Sequence, residues 1–168
     1  MTVTLDGLNA ASRADFVAAL GDLFEHSPWV AEAAFAARPF ASAEALHDAL
    51  QKALLDASRE AQLALIRAHP ELGQRQRDTL TAASRREQRS AGLDGESERL
   101  ETLIALNRDY RTRHGFPFVI AVRGLTLEAV IEALERRLPR SSETEVAESL
   151  TQIGHIARLR LEDRLRPA

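Results

Sequence analysis

The sequence contains no cysteine and a single lysine. The lack of cysteine excludes disulfide bonds, thiolate nucleophiles and cysteine-ligated metal sites. A lysine Schiff base is also disfavoured, because the one lysine, Lys52, lies among polar neighbours and would lack the desolvation that activates such a residue. The formal net charge of −3 favours neither nucleic acid nor an anionic membrane surface as a partner.

Two further absences concern location and cofactors. No apolar run approaches the roughly 20 residues that span a bilayer, and residues 1–10 lack the basic and apolar regions of a signal peptide. We therefore expect a soluble, cytoplasmic protein without a membrane partner. The five histidines are scattered without the spacing of a metal site, and no glycine-rich nucleotide-binding loop is present. We expect neither a metal nor an organic cofactor.

Apolar residues recur at helical spacing along nearly the whole chain. This pattern predicts an all-α protein, a compact single-domain bundle of about eight helices that takes in residues 1–168. Hydroxyl residues at the starts of the apolar stretches, such as Ser42 and Ser58, are typical helix N-caps. One short apolar segment, residues 116–122, is predicted to be extended. The predicted helices cover about residues 12–25, 27–38, 42–54, 58–69, 84–92, 95–114, 126–138 and 142–166.

A histidine lies where one of these helices must end. His69 precedes Pro70, and proline stops a helix at the residue before it. An unperturbed histidine has a pKa of about 6.5, which suits general acid-base catalysis near neutral pH. The alternative is a histidine that only interacts favourably with the negative end of the helix dipole.

The stretch from Ser84 to Glu87 has the spacing of a capping box. In that interpretation Ser84 caps a helix and Glu87 reaches back to the cap. A helix N-terminus also presents free backbone N–H groups to an anion, so the same residues can contribute to a binding site. The spacing alone leaves both readings open.

Two other features interrupt the helical pattern. The apolar segment 116–122 is either a buried connection between helices or a source of unpaired backbone groups for a flat polar ligand. In the last helix, Arg160 falls near the apolar face, whereas Arg158 falls on the polar one. A charge near the core must pair with another charge, extend its stem to solvent or bind a ligand.

Taken together, five segments in order resemble the family of 2-oxo-4-hydroxy-4-carboxy-5-ureidoimidazoline (OHCU) decarboxylases. Each motif alone is common, but their order and spacing match that family over nearly the whole chain. The segments are Phe24-Glu25-His26-Ser27-Pro28-Trp29-Val30, His69-Pro70-Glu71-Leu72-Gly73, Ser84-x-x-Glu87-Gln88-x-x-Ala91-Gly92-Leu93, Tyr110 with Gly115-Phe116-Pro117-Phe118-Val119-Ile120 and Arg123, and Ile156-Ala157-Arg158-Leu159-Arg160-Leu161.

The resemblance implies an all-helical enzyme, commonly a homodimer, that converts OHCU to (S)-allantoin in urate breakdown without a cofactor. It implies that His69 is the catalytic histidine, assisted by Glu87. The residues that it places against the substrate are Pro70, Ser84, Arg85, Arg86, Glu87, Gln88, Val119, Ile120, Ala121, Val122 and Arg123, with a late arginine that the helical wheel assigns to Arg160. The alternative function is a helical ligand-binding module that keeps the pocket without catalysis.

Overall fold

Helices account for nearly all regular structure in the part of the chain that the computed structural model describes, residues 3–73, 80–93 and 98–165. Within those residues there are nine α-helices, a 3-10 helix at Phe35–Ala37 and an isolated parallel bridge between Val3 and Leu165. The all-α prediction is confirmed. The α-helices are α1 (Leu5–Ala10), α2 (Arg13–Leu20), α3 (Trp29–Ala34), α4 (Ala43–Leu55), α5 (Arg59–Ala68), α6 (Ala82–Ser90), α7 (Glu98–His114), α8 (Leu127–Arg137) and α9 (Ser142–Arg164).

The chain divides into two compact units. The first comprises Met1–Leu65 with Ile153–Ala168, and in it α3 packs against α2 and α4. The second comprises Ile66–Gln152, and in it α7 packs against α8. No helix among the described residues is long and apolar enough to cross a membrane.

Most helix starts follow from local hydroxyl caps. The side chains of Ser12, Ser42, Ser58 and Thr126 each accept a hydrogen bond from the backbone N–H three residues later, at 3.1 Å in every case. Such a bond satisfies one of the donors that a helix leaves free in its first turn. The four helices that these residues open were all predicted, because the cap is encoded within one turn of sequence.

Two helix predictions near the N-terminus need correction. The six-residue helix α1 was not predicted, because so short a segment shows no helical period. The predicted helix 12–25 ends instead at Leu20, and a turn follows in which His26 has a φ of 47°. The predicted helix 27–38 begins instead at Trp29, and the Ser27 hydroxyl donates to the Glu25 carbonyl rather than capping the helix.

The extended segment is confirmed. Residues 116–122 form neither helix nor strand, and Phe116, Phe118, Val119 and Val122 are all buried. The ring of Tyr110 on α7 packs edge-on against Phe118 and Phe116, with centroid distances of 5.3 and 6.0 Å. The segment therefore passes through the core of the second unit. The predicted start of the long helix near Gly95, and residues 74–79 of the loop before α6, lie outside the described residues.

Candidate active site

The catalytic candidate His69 lies directly after the last residue of α5, so the helix ends one residue before the position that the proline predicted. Its backbone N–H still donates to the Ile66 carbonyl at 3.2 Å, which makes a tight final turn. The residue is buried, with 7% of its surface exposed, and Pro70 beside it is half-buried. A titratable ring is thus held at a helix end in the second unit, largely shielded from bulk water.

The turn after His69 is fixed by two buried carboxamide side chains. Asn107 of α7 donates from Nδ2 to the Leu72 carbonyl at 2.8 Å. Gln88 of α6 accepts from the Gly73 N–H through Oε1 at 3.0 Å. Both side chains are at least nine-tenths buried, so these bonds are shielded from competing water. The backbone that follows the catalytic candidate is consequently held from two helices.

Glycine is required at the end of this turn. Gly73 has a φ of 74°, in the left-handed region that residues with a Cβ rarely adopt. A Cβ added there would also lie 3.0 Å from Cδ1 of Leu100 and 3.3 Å from Cδ2 of Leu103. The turn therefore packs closely against α7, and this fixes its distance from the core.

The capping-box interpretation of Ser84 and Glu87 is wrong. The helix begins at Ala82, and Thr81 is its cap, accepting from the Ser84 N–H at 3.1 Å. Thr81 and Ser84 are both hydroxyl residues suited to cap a helix, and Thr81 is the one that makes the capping hydrogen bond. Ser84 is instead a buried residue of the first turn, and Glu87 is half-buried in the second turn.

The candidate residues of α6 differ in exposure. Ser84 and Gln88, one turn apart, form its buried face. Arg85 and Arg86 are exposed, and Arg85 donates to the Leu80 carbonyl at 3.2 Å. Because Oε1 of Gln88 already accepts from Gly73, the group that remains for a ligand is its Nε2 donor, which has no partner among the described residues. Gln88 is therefore better suited to a substrate carbonyl than to a substrate N–H.

The second candidate segment, residues 119–123, is anchored by α8 and α9. The Val119 carbonyl accepts from Nη1 of Arg137 at 2.7 Å, and the Ala121 N–H donates to Oε1 of Gln152 at 3.1 Å. Ile120 and Ala121 are half-buried, whereas Val119 and Val122 are buried. Arg123 is exposed and begins the turn into α8.

Arg160 belongs to the first unit, where it forms a buried ion pair. Its Nη2 lies 2.9 Å from Oε1 of Glu25, and its Nη1 donates to the Leu23 carbonyl at 3.3 Å. Arg158 is exposed and pairs with Glu162 along the helix at 3.1 Å. The helical wheel placed both arginines correctly, and the structure adds the ion pair that sequence reasoning had kept as an alternative.

Sequence reasoning missed Asn107, Arg137 and Gln152. The first two left a signal, since each is a polar residue at helical spacing within a stripe of buried residues. A buried polar group must find a partner, which marks such positions for attention. Among the described residues, no group of three or more histidine and acidic side chains could hold a metal ion.

Known proteins resemble this chain along almost its full length. The family model for OHCU decarboxylase matches residues 9–162. A Haloferax volcanii protein named 2-oxo-4-hydroxy-4-carboxy-5-ureidoimidazoline decarboxylase is 47% identical, covering 96% of both chains. The Bacillus subtilis uric acid degradation bifunctional protein is 42% identical over 95% of this chain, which spans 32% of that protein.

A solved structure agrees with these sequence matches. The crystal structure of (S)-allantoin synthase superimposes with a TM-score of 0.76 and 32% identity, covering 97% of this chain and 54% of that one. The family match over residues 9–162 includes the His69 turn, α6 and the extended segment. The chain belongs to the OHCU decarboxylase family.

Proposed function

We propose that this chain is a carboxy-lyase that decarboxylates OHCU to (S)-allantoin in urate degradation, without a cofactor and with His69 as the general acid-base. The observation that carries the proposal is the 47% identity, over 96% of both chains, to a protein named OHCU decarboxylase. The buried histidine on a turn held by Asn107 and Gln88 supports it, because proton transfer requires a fixed donor.

The chemistry of the substrate fits a site made of ordinary side chains. The bond from the ring to the carboxylate breaks, carbon dioxide leaves, and the electron pair moves into the adjacent ring imine, whose nitrogen takes up a proton. A proton then reaches one face of the carbon that bears the ureido group, while the ring hydroxyl loses its proton and becomes a carbonyl. The enzyme must orient the carboxylate, stabilise the developing charge and deliver that proton on one side.

The predicted roles follow from residue chemistry. His69 would move the proton, and the Glu87 carboxylate would accept hydrogen bonds from substrate N–H groups. Gln88 would donate from Nε2 to a carbonyl of the substrate. Contacts from Pro70 and from residues 119–123, the single-domain assignment, the homodimer and the cytoplasmic location stay predictions.

A stereochemical assay tests the proposed reaction. OHCU decays spontaneously to racemic allantoin, so freshly generated OHCU should be followed by circular dichroism. We expect the protein to accelerate the decay and to yield the S enantiomer. A binding module without catalysis would instead be stabilised by allantoin in thermal melting while leaving the decay slow and racemic.

Replacing Glu87 by glutamine is expected to reduce catalytic efficiency about tenfold to a hundredfold, because a charge-assisted hydrogen bond contributes roughly 1.5–3 kcal/mol. In glutamine an NH2 group replaces one of the two carboxylate oxygens, so a donor would face a donor of the substrate. Stability should change little, since glutamine has nearly the same size and Glu87 is not part of a capping box.

The matched control is Glu132→Gln on the exposed face of α8, which we expect to be silent in both measurements. Steady-state kinetics and thermal melting are run on both variants. An active, stable Glu87→Gln protein would remove Glu87 from the substrate contacts.

A further inference from the structure

The second unit contains a buried charge cluster that lies outside the predicted substrate contacts. Arg137 of α8 donates from Nε to Oε1 of Glu145 on α9 at 2.8 Å, and the Tyr110 hydroxyl of α7 donates to the same oxygen at 2.6 Å. All three residues are at most 3% exposed. Burial, reinforced by the bond to the Glu145 carboxylate, raises the pKa of Tyr110, so the phenol stays a donor.

Arg137 of this cluster also contacts the extended segment, residues 116–122. Nη1 of Arg137 donates to the Val119 carbonyl at 2.7 Å, and the guanidinium lies 4.5 Å from the centre of the Phe118 ring. Only arginine combines a bond to a carboxylate, a bond to a carbonyl and a stacked ring in one planar group. A buried ion pair adds little net stability over apolar residues of the same size. What the cluster does specifically is to fix the direction of the Val119 carbonyl.

A second polar side chain fixes the next peptide group. Gln152 of α9 accepts the Ala121 N–H through Oε1 at 3.1 Å, while its Nε2 donates to Oε1 of Glu148 at 2.9 Å. The amide is therefore oriented at both ends. Both peptide groups of Ile120 are therefore held by hydrogen bonds. The one before it is held through the Val119 carbonyl, and the one after it through the Ala121 N–H.

The consequence concerns the main chain of Ile120. In a trans peptide the carbonyl and the following N–H point in opposite directions, and both of these peptides are trans. The Ile120 N–H therefore points away from Arg137, and the Ile120 carbonyl points away from Gln152. No hydrogen bond joins either group to any residue that the structure describes, and Ile120 is half-buried.

We infer that Arg137 and Gln152 are positioning residues that hold the N–H and C=O of Ile120 as a donor and acceptor pair for a cyclic ureide. An –NH–CO– edge of such a ring complements one residue's main-chain groups, as one strand complements another. The inference rests on the proposed function, since OHCU and allantoin both carry such an edge. In this inference the main-chain N–H and C=O of Ile120 recognise the ring, and the side chains of Arg137 and Gln152 orient them.

The test compares Gln152→Met with Gln152→Glu. Methionine removes the acceptor for Ala121 at similar volume, and we expect KM for OHCU to rise about fivefold to tenfold with kcat nearly unchanged, the effect of one hydrogen bond on uniform binding. Glutamate keeps an acceptor oxygen for Ala121 but would face the Glu148 carboxylate, so Gln152→Glu is combined with Glu148→Gln, which returns a donor to that pair. This double variant should restore KM. Thr151→Ala, one residue away on the exposed face of α9, is the control and should match the wild type.

Arg137→Lys supplies a second measurement. Lysine keeps a positive charge beside Glu145 but cannot make both arginine bonds, so KM should rise in the same direction. A merely structural defect would lower the folded fraction, and hence the apparent kcat, without moving KM. An unchanged KM in folded Gln152→Met protein overturns the inference while the proposed function stands. A wild type that does not turn over OHCU overturns both.

Discussion

Replacing His69 by asparagine is expected to abolish most of the decarboxylation while the protein stays folded. Asparagine keeps a polar side chain at the end of α5 but cannot exchange a proton near neutral pH, and general acid-base catalysis contributes about 10²- to 10⁴-fold to a rate. The turn beyond position 69 is held by Asn107 and Gln88, so the backbone should keep its course.

The matched control for this variant is His155→Asn, an exposed histidine on the polar side of α9. We expect it to keep wild-type rates. Initial rates on fresh OHCU, the enantiomeric excess of allantoin and the melting temperature should be measured for both variants. A folded His69→Asn protein with near wild-type rates would refute the catalytic assignment.

Replacing Arg160 by alanine is expected to cost about 3–5 kcal/mol of unfolding free energy, because it leaves the buried Glu25 carboxylate without this counter-ion. Arg158→Ala, two residues earlier, removes only an exposed pair and should cost no more than about 1 kcal/mol. Urea denaturation of the two variants measures the difference directly. Equal midpoints at an unchanged denaturant slope would contradict the role of the ion pair.

Stability and substrate contact can be separated at Arg160. The double variant Glu25→Leu with Arg160→Met removes both charges and fills the space with apolar atoms, a change that often restores or increases stability. We expect this protein to fold but to remain less active than Arg158→Ala, because Arg160 is also predicted to hold a substrate carboxylate or carbonyl. Full activity in the double variant would reduce Arg160 to a structural residue.

The helices themselves were largely predictable, because the information that starts and ends them is local. A hydroxyl side chain reaches a backbone N–H only three residues away, so Ser42, Ser58 and Thr126 mark their helices in the sequence alone. The same short range explains the error at α6. Thr81 and Ser84 are both suitable N-cap residues by type, and the sequence does not show which of them lies just before the first helical residue.

The sequence by itself also determined which residues must be buried. The periodic pattern placed Arg160 on the core side of α9 and Arg158 on the other, and Pro70 predicted the end of α5 to within one residue. The family resemblance added the predicted reaction and the predicted site residues, because the order of its motifs matches this sequence. Neither the pattern nor the motifs identify the partner of a buried polar atom.

Only the tertiary structure decided those partners, because they come from distant parts of the chain. Arg160 pairs with Glu25 across 135 positions, and Asn107 reaches the Leu72 carbonyl across 35. A buried polar group costs free energy until it is paired, but which partner it meets depends on which helices pack together. The turn after His69 and the direction of the Ile120 peptide groups are set by such pairs, so the geometry of the candidate site emerges only in the folded protein.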